Sequence, residues 1–248
     1  MKYMIATLSL VITALVFAAP IKNNLGASAT INTEQTTPFE NPYVTDGLVA
    51  MFDGEWNAGW GIHDETATEW KDLCGGESLI IGGGTPIINA QSIDCSSQGK
   101  GICYWKYSSG REIAFASPTS YSIEVVCKVN INVDHVVFRN GDNRFWQGLK
   151  NRIILGALRN ITPSLRALPT IVSYYLDFVN RATYRNGELY TKTGLDSNTF
   201  RSGRFIIGTD NSSYAGAEVF AFRVYSRALT AEEIAANYAI DKERFNLP

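Results

Sequence analysis

The chain has 248 residues, 45% of them hydrophobic and only 19% charged, with 21 Gly, 8 Pro and a net charge of −2. This balance describes a globular chain rich in strands and turns and excludes a disordered or coiled-coil one. No cluster of Lys and Arg offers the cationic footprint that phosphate neutralisation or anionic lipid requires, so nucleic acid is excluded as a partner.

Residues 1–20 read MKYMIATLSLVITALVFAAP. Lys2 gives a positive start, and residues 5–19 form an uncharged run of 15. That length suits the core of a signal peptide and falls short of the ~20 residues that cross a bilayer. Pro20 ends the run. Residues 1–19 are therefore expected to be a signal peptide or hydrophobic leader, and a membrane would be met only through an uncleaved leader. Residues 20–44 are polar, with Pro38 and Pro42 near the end, and are expected to form a linker or loosely ordered arm. The folded domain is expected over 45–248.

The elements that follow are strands. Residues 47–52 (GLVAMF) are a short apolar run ahead of Asp53-Gly54. Residues 121–130 (YSIEVVCKVN) alternate, with Tyr121, Ile123, Val125, Cys127 and Val129 on one face and Ser122, Glu124, Lys128 and Asn130 on the other. Period two with β-branched residues predicts a half-buried strand. Asn140-Gly141 and Asn186-Gly187 predict hairpins, because both central residues of a type I′ turn need positive φ. Residues 182–185 and 188–192 are the arms of the second. Residues 204–208 and 217–225 complete the strands. A helix then begins at Thr230, with Glu233 completing a capping box and Leu229 and Ile234 a hydrophobic staple. It is expected to end near Ile240 or Lys242. Many short strands and one terminal helix predict two antiparallel sheets packed face to face.

Cys74, Cys95, Cys103 and Cys127 are an even number in a chain expected to be exported, which permits disulfides in three full pairings. Free buried thiols are equally open, and the spacings make no zinc motif.

Three stretches carry a family resemblance. The strongest joins residues 203–208 (GRFIIG), 214–216 (YAG) and 219–238 (VFAFRVYSRALTAEEIAANY). The second pairs 47–53 (GLVAMFD) with 67–73 (ATEWKDL), and the third is 184–189 (YRNGEL). Together they resemble the laminin G-like branch of the concanavalin A-like lectin/glucanase superfamily, of the bacterial or phage type, over residues 46–248. The resemblance implies an all-β, two-sheet antiparallel jelly-roll sandwich with a short C-terminal α-helix. It implies an adhesive or glycan-binding module and names no ligand.

Glycoside hydrolases of that superfamily resemble one another in a Glu-x-Asp-x-x-Glu strand, which supplies paired carboxylates. No such triplet occurs here; Glu124 and Asp177 each stand alone in their strands. No Gly-x-Ser-x-Gly elbow occurs either. The expectation is a protein that is not an enzyme.

Residues 55–64 are the most unusual loop. Trp56 and Trp60 stand among glycines beside Asn57, His63 and Asp64, combining aromatic faces with polar groups as sugar sites do. Tryptophans that plug the end of the sandwich explain the same residues. Asp142 and Asp210 sit beside Asn side chains in loops, a pattern that suits calcium and equally suits Asx turns. Calcium at the sandwich rim is what the resemblance implies for them. Arg223 and Arg227 are expected to satisfy carboxylates or carbonyls at the helix–sheet junction.

The expected function is an exported lectin-like module, secreted or on a cell or virion surface, that binds glycans or surface polysaccharide. The alternatives are a structural or protein-interaction component with a protein partner, and a glycoside hydrolase with an unrecognised site.

Overall fold

The computed structural model describes residues 40–99, 101–109, 121–130, 132–133, 135–140, 143–144, 146–149, 152–155, 165–166, 170–191, 205–210 and 212–248. In chain order the strands are β1 (Leu48–Asp53), β2 (Glu69–Trp70), β3 (Leu79–Gly83), β4 (Ile87–Asn89), β5 (Ser92–Asp94), β6 (Cys103–Tyr107) and β7 (Ser122–Lys128). They continue with β8 (His135–Val136), β9 (Phe138–Asn140), β10 (Asn143–Arg144), β11 (Trp146–Leu149), β12 (Arg152–Leu155), β13 (Leu165–Arg166) and β14 (Val172–Asp177). Last come β15 (Ala182–Arg185), β16 (Glu188–Thr191), β17 (Phe205–Thr209), β18 (Glu218–Tyr225) and the helix α1 (Ala231–Phe245).

The first sheet has the order β16-β15-β14-β7-β18-β5-β4, with β1 sharing an edge of β18; the second runs β10-β9-β17-β6-β3-β2. A four-stranded sheet, β13-β12-β11-β8, adjoins the second through Val137, between β8 and β9. All recorded pairings are antiparallel, and the whole is the expected all-β sandwich with a C-terminal helix.

Alternation explains the core. Ile123, Val125 and Cys127 of β7 and Phe222 and Val224 of β18 meet Cys103 and Trp105 of β6, Trp70, Phe138 and Ile207 from the opposite sheet. Edge-to-face pairs such as Trp70–Trp105 and Phe138–Phe222 fill the space between the layers. In β18 the register shifts between Val219 and Ala221. That one-residue bulge lets Val219 and Phe222, an odd number of residues apart, both enter the core.

The outer face of the first sheet departs from expectation. β7 is buried on both faces from Ser122 through Cys127, and β14 is buried throughout. The cause is α1, which lies on that face. Val126, Phe220 and Ala221 pack with Phe245 and Leu247, while Tyr175 and Tyr225 pack with Leu229 and Ile234.

The capping box is present, Thr230 Oγ1 accepting from Glu233 N at 3.2 Å and Glu233 Oε2 accepting from Thr230 N at 2.8 Å. The helix runs a turn further than predicted, to Phe245, and stops where Asn246 enters the left-handed region at φ 52°. Asn186 and Gly187, at φ 51° and 77°, make the predicted turn between β15 and β16. β9 and β10 pair near the other predicted hairpin, but Asn140, expected as a central turn residue, ends β9 opposite Asn143; residues 141–142 lie outside the described residues.

Candidate functional site

Two buried ionic networks fasten the helix to the first sheet. Arg223 Nε donates to Glu124 Oε2 at 2.8 Å, and Arg223 Nη2 donates to Asp241 Oδ2. Asn237 Nδ2 donates to the same Glu124 oxygen and to Tyr225 Oη, each at 2.9 Å. The guanidinium lies 3.9 Å from the centroid of the Tyr43 ring. Burial pushes the Glu124 carboxyl up to about 7 against the pull of Arg223. The nearby Asp241 carboxylate, sharing the same guanidinium, adds to that direction. Arg227 is bidentate to Glu233 and also bridges Asp46. Both arginines therefore serve the helix–sheet junction, and Glu124 is buried with its Oε2 committed to Arg223 and Asn237.

The second network anchors the 55–64 loop. Arg244 donates to both Asp53 oxygens, at 2.8 and 3.0 Å, and to Glu55 Oε2 at 2.8 Å. Its guanidinium stacks 3.5 Å from the centroid of Trp56. Trp56 is only 8% exposed and packs with Tyr43, Met51 and Leu73, so its ring is part of the interior. Trp60 is half-buried against Trp56 and donates Nε1 to Leu73 O at 3.0 Å. Asn57 is wholly buried and exchanges hydrogen bonds with the Asp64 backbone, Nδ2 to O at 2.8 Å and N to Oδ1 at 2.9 Å. Asp64 Oδ1 accepts from Thr66 N and Oγ1, which hold its carboxyl below the usual range. His63 Nδ1 faces Gly54 O at 3.1 Å. Asn57, Trp60 and His63 thus spend polar atoms on the loop and its neighbours, and the exposed part of the loop tip is Gly61 and Ile62, with Asp64 half-buried beside it.

A separate open recess of about 400 Å³ is walled by Asp94, Ser96, Lys128, Asn130, Asn132 and Glu218. It occupies the sandwich end where β5 and β7 finish and β18 begins. The 55–64 loop leaves β1 at the same end, because Gly54 N donates to Phe220 O at 2.8 Å. A Cβ on Gly54 would stand 2.6 Å from Gln91 O and Ser92 Cα, so loop and β4–β5 turn touch backbone to backbone.

Within the recess Glu218 Oε1 accepts from Ser92 Oγ at 2.7 Å, and Lys128 Nζ approaches Glu218 Oε2 at 3.9 Å. Asp94 Oδ1 accepts from Ser96 N and Oγ at 2.7 and 2.6 Å. These residues come from three separate stretches of the chain, 92–96, 128–132 and 218, and form no motif, which is why the sequence does not mark them. The only local signal is the polar tail of β7 at Lys128 and Asn130.

Of the two aspartates suited to calcium, Asp142 lies outside the described residues, and Asp210 is half-buried just past β17. Among the described residues no three His, Cys, Asp or Glu side chains gather in a metal-binding group.

By sequence the chain matches no protein-family model and no curated protein. Its fold matches solved structures. One is Trypanosoma rangeli sialidase in complex with sialic acid, at TM-score 0.57 and 13% identity, over 79% of this chain and 33% of that one. Another is a mutant of that sialidase displaying trans-sialidase activity, at TM-score 0.55 and 15% identity, with the same coverage. A third is the binding domain of botulinum neurotoxin DC in complex with SialylT, at TM-score 0.55 and 10% identity, over 79% of this chain and 52% of that one. The chain thus spans about a third of the sialidase and half of the toxin domain. At such identities the likeness is one of fold alone, a two-sheet β-sandwich.

These matches correct one expectation. The missing Glu-x-Asp-x-x-Glu triplet does not make this a non-enzyme, because solved chains that contain this fold include sialidases. The triplet belongs to one set of hydrolases, and a fold does not fix the chemistry of its site.

Proposed function

We propose that this chain is an exported glycan-binding domain of the concanavalin A-like, laminin G-like jelly-roll type, taking its ligand at the sandwich end that carries the recess. The observation that carries the reading is the recess itself, where two carboxylates, an ammonium and two amide side chains converge on about 400 Å³. Carboxylates accept from sugar hydroxyls, and amides donate and accept across neighbouring hydroxyl pairs. Asp94 and Glu218 outnumber Lys128, so the recess suits neutral sugars better than anionic ones. Asp64 and the exposed Ile62, on the loop that leaves β1 at the same end, extend the surface a longer glycan would cover. The toxin domain solved with SialylT and the sialidase solved with sialic acid support a carbohydrate ligand in coarse terms. Export follows from the leader over 1–19, and calcium at Asp142 and Asp210 belongs to the same reading through the family resemblance.

The test is a glycan array probed with the full chain, with calcium and with chelator, and with Lys128→Ala, Asn132→Ala and Trp60→Ala variants. Neutral glycans retained by the full chain and lost in the Lys128 and Asn132 variants are the expected result. Loss in the Trp60 variant alone would move the site to the loop. No retained glycan in either buffer would end the proposal. The N-terminal residue of protein recovered from culture medium reads the export half separately.

A further inference from the structure

The four cysteines are not equivalent in the fold. Cys74 is exposed beyond β2, the edge strand of the second sheet, and Cys127 is buried on β7. Cys95 and Cys103 lie together in the core. Cys95 follows β5 of the first sheet, its N–H donating to Ala217 O at 3.1 Å. Cys103 opens β6 of the second sheet, opposite Thr209 of β17.

The two meet around Gly208. A Cβ built there would stand 2.4 Å from Cys103 O and 3.3 Å from Cys95 Sγ. Gly216 makes room on the other side, where a Cβ would stand 2.5 Å from Cys95 Cβ. Both side chains belong to the same buried core cluster, and the Cys103 thiol is the foremost of the groups that push the Cys95 thiol up.

We propose that Cys95 and Cys103 are a disulfide site, and that the oxidised bond stitches the two sheets together next to the recess. Of the pairings that four cysteines allow, this contact selects one bridge and leaves Cys74 and Cys127 as thiols. The oxidant is a protein or glutathione disulfide. One cysteine thiolate attacks a sulfur of that disulfide, giving a mixed disulfide and releasing one donor thiolate. The second cysteine thiolate then displaces the remaining donor sulfur. Two protons and two electrons leave the cysteine pair, and the donor departs as two thiols.

Contact with Cys103 and burial raise the Cys95 thiol well above its usual range. The exchange is therefore slow in the closed core and belongs to the folding chain. Asp94 and Ser96, which flank Cys95, are walls of the recess, so the bond would also hold that wall in place.

The inference rests on the exported reading for its oxidising compartment, but its test does not. Full-length protein is refolded in a glutathione redox buffer, alkylated under denaturing conditions and cut after Lys and Glu. Cleavage after Glu77 and Lys100 separates Cys74, Cys95 and Cys103 onto different peptides. The expected result is the 78–100 and 101–106 peptides joined until reductant is added, with Cys74 and Cys127 alkylated. Reduction is expected to lower Tm by roughly 5–10 °C, and Cys95→Ala/Cys103→Ala is expected to melt alike in both buffers. Four alkylated thiols after oxidative refolding, or Cys95 joined to another partner, would overturn the proposal whatever the compartment. A joined pair in protein whose leader is never removed would count against export alone.

Discussion

Arg223 and Glu124 are cross-strand partners on β18 and β7, joined Nε to Oε2 at 2.8 Å with side chains 0% and 2% exposed. One cation serves two buried carboxylates, since Asp241 takes its other edge. Removing that cation leaves both acids uncompensated in the interior, whereas removing one acid leaves a matched pair. Arg223→Met is expected to cost about 3–5 kcal/mol, and Asp241→Asn clearly less. Urea unfolding of the two variants measures the difference; equal losses would show that the arginine is not shared.

The same cluster sets a pH dependence. Burial raises Glu124 from an ordinary 4.5 to about 7, so the folded protein holds a proton that the unfolded chain releases between those values. Its contribution to stability is full below pH 4.5 and is lost as pH rises through 7. Between pH 5 and 8 stability is expected to fall by up to about 3 kcal/mol from this group. Asp53 and Asp72, also raised by burial, tilt the curve the same way. Asp64 and Glu233, held low by hydrogen bonds, act only at more acid pH, where protonation removes their contribution. Glu124→Gln is expected to flatten the slope in part, read from denaturant midpoints at pH 5, 6, 7 and 8. An unchanged slope would assign it to other groups.

Arg244 closes the end of the sandwich beneath the 55–64 loop. It neutralises Asp53, which is fully buried, and covers the Trp56 ring. Arg244→Ala is expected to cost about 2–4 kcal/mol through the stranded Asp53 carboxylate. Arg244→Ala/Asp53→Asn is expected to recover part of the loss. Thermal melts of the single and double variants measure it, and tryptophan emission reports the uncovered ring.

The helix start offers a smaller and cleaner test. Thr230→Ala removes the acceptor for Glu233 N and is expected to cost about 1 kcal/mol, while Thr230→Ser keeps the bond. Denaturant midpoints of the two variants separate the lost cap from a mere change of side chain.

The strands and the helix start were legible because their causes are local. The capping box spans four residues, the Asn186-Gly187 turn two, and the alternation of 121–130 identifies the face that enters the core. The same alternation misled about the opposite face, because a strand carries no mark of what covers it. Glu124 looks like a solvent-facing residue until Arg223 and Asn237, 99 and 113 residues away, close over it. Trp56 allows two readings in the sequence, a sugar platform or a plug at the end of the sandwich, and the return of α1, which brings Arg244 onto its buried ring, favours the plug. The recess and the Cys95–Cys103 contact belong to this second kind. The recess gathers residues from segments far apart in the chain, and Cys95 and Cys103, only eight residues apart, belong to different sheets; both depend on sheet order and register that no local pattern encodes. Local propensity and periodicity thus determined which segments form strands and helix. Long-range packing alone decided which polar groups are buried and paired, and which remain at the surface to meet a ligand.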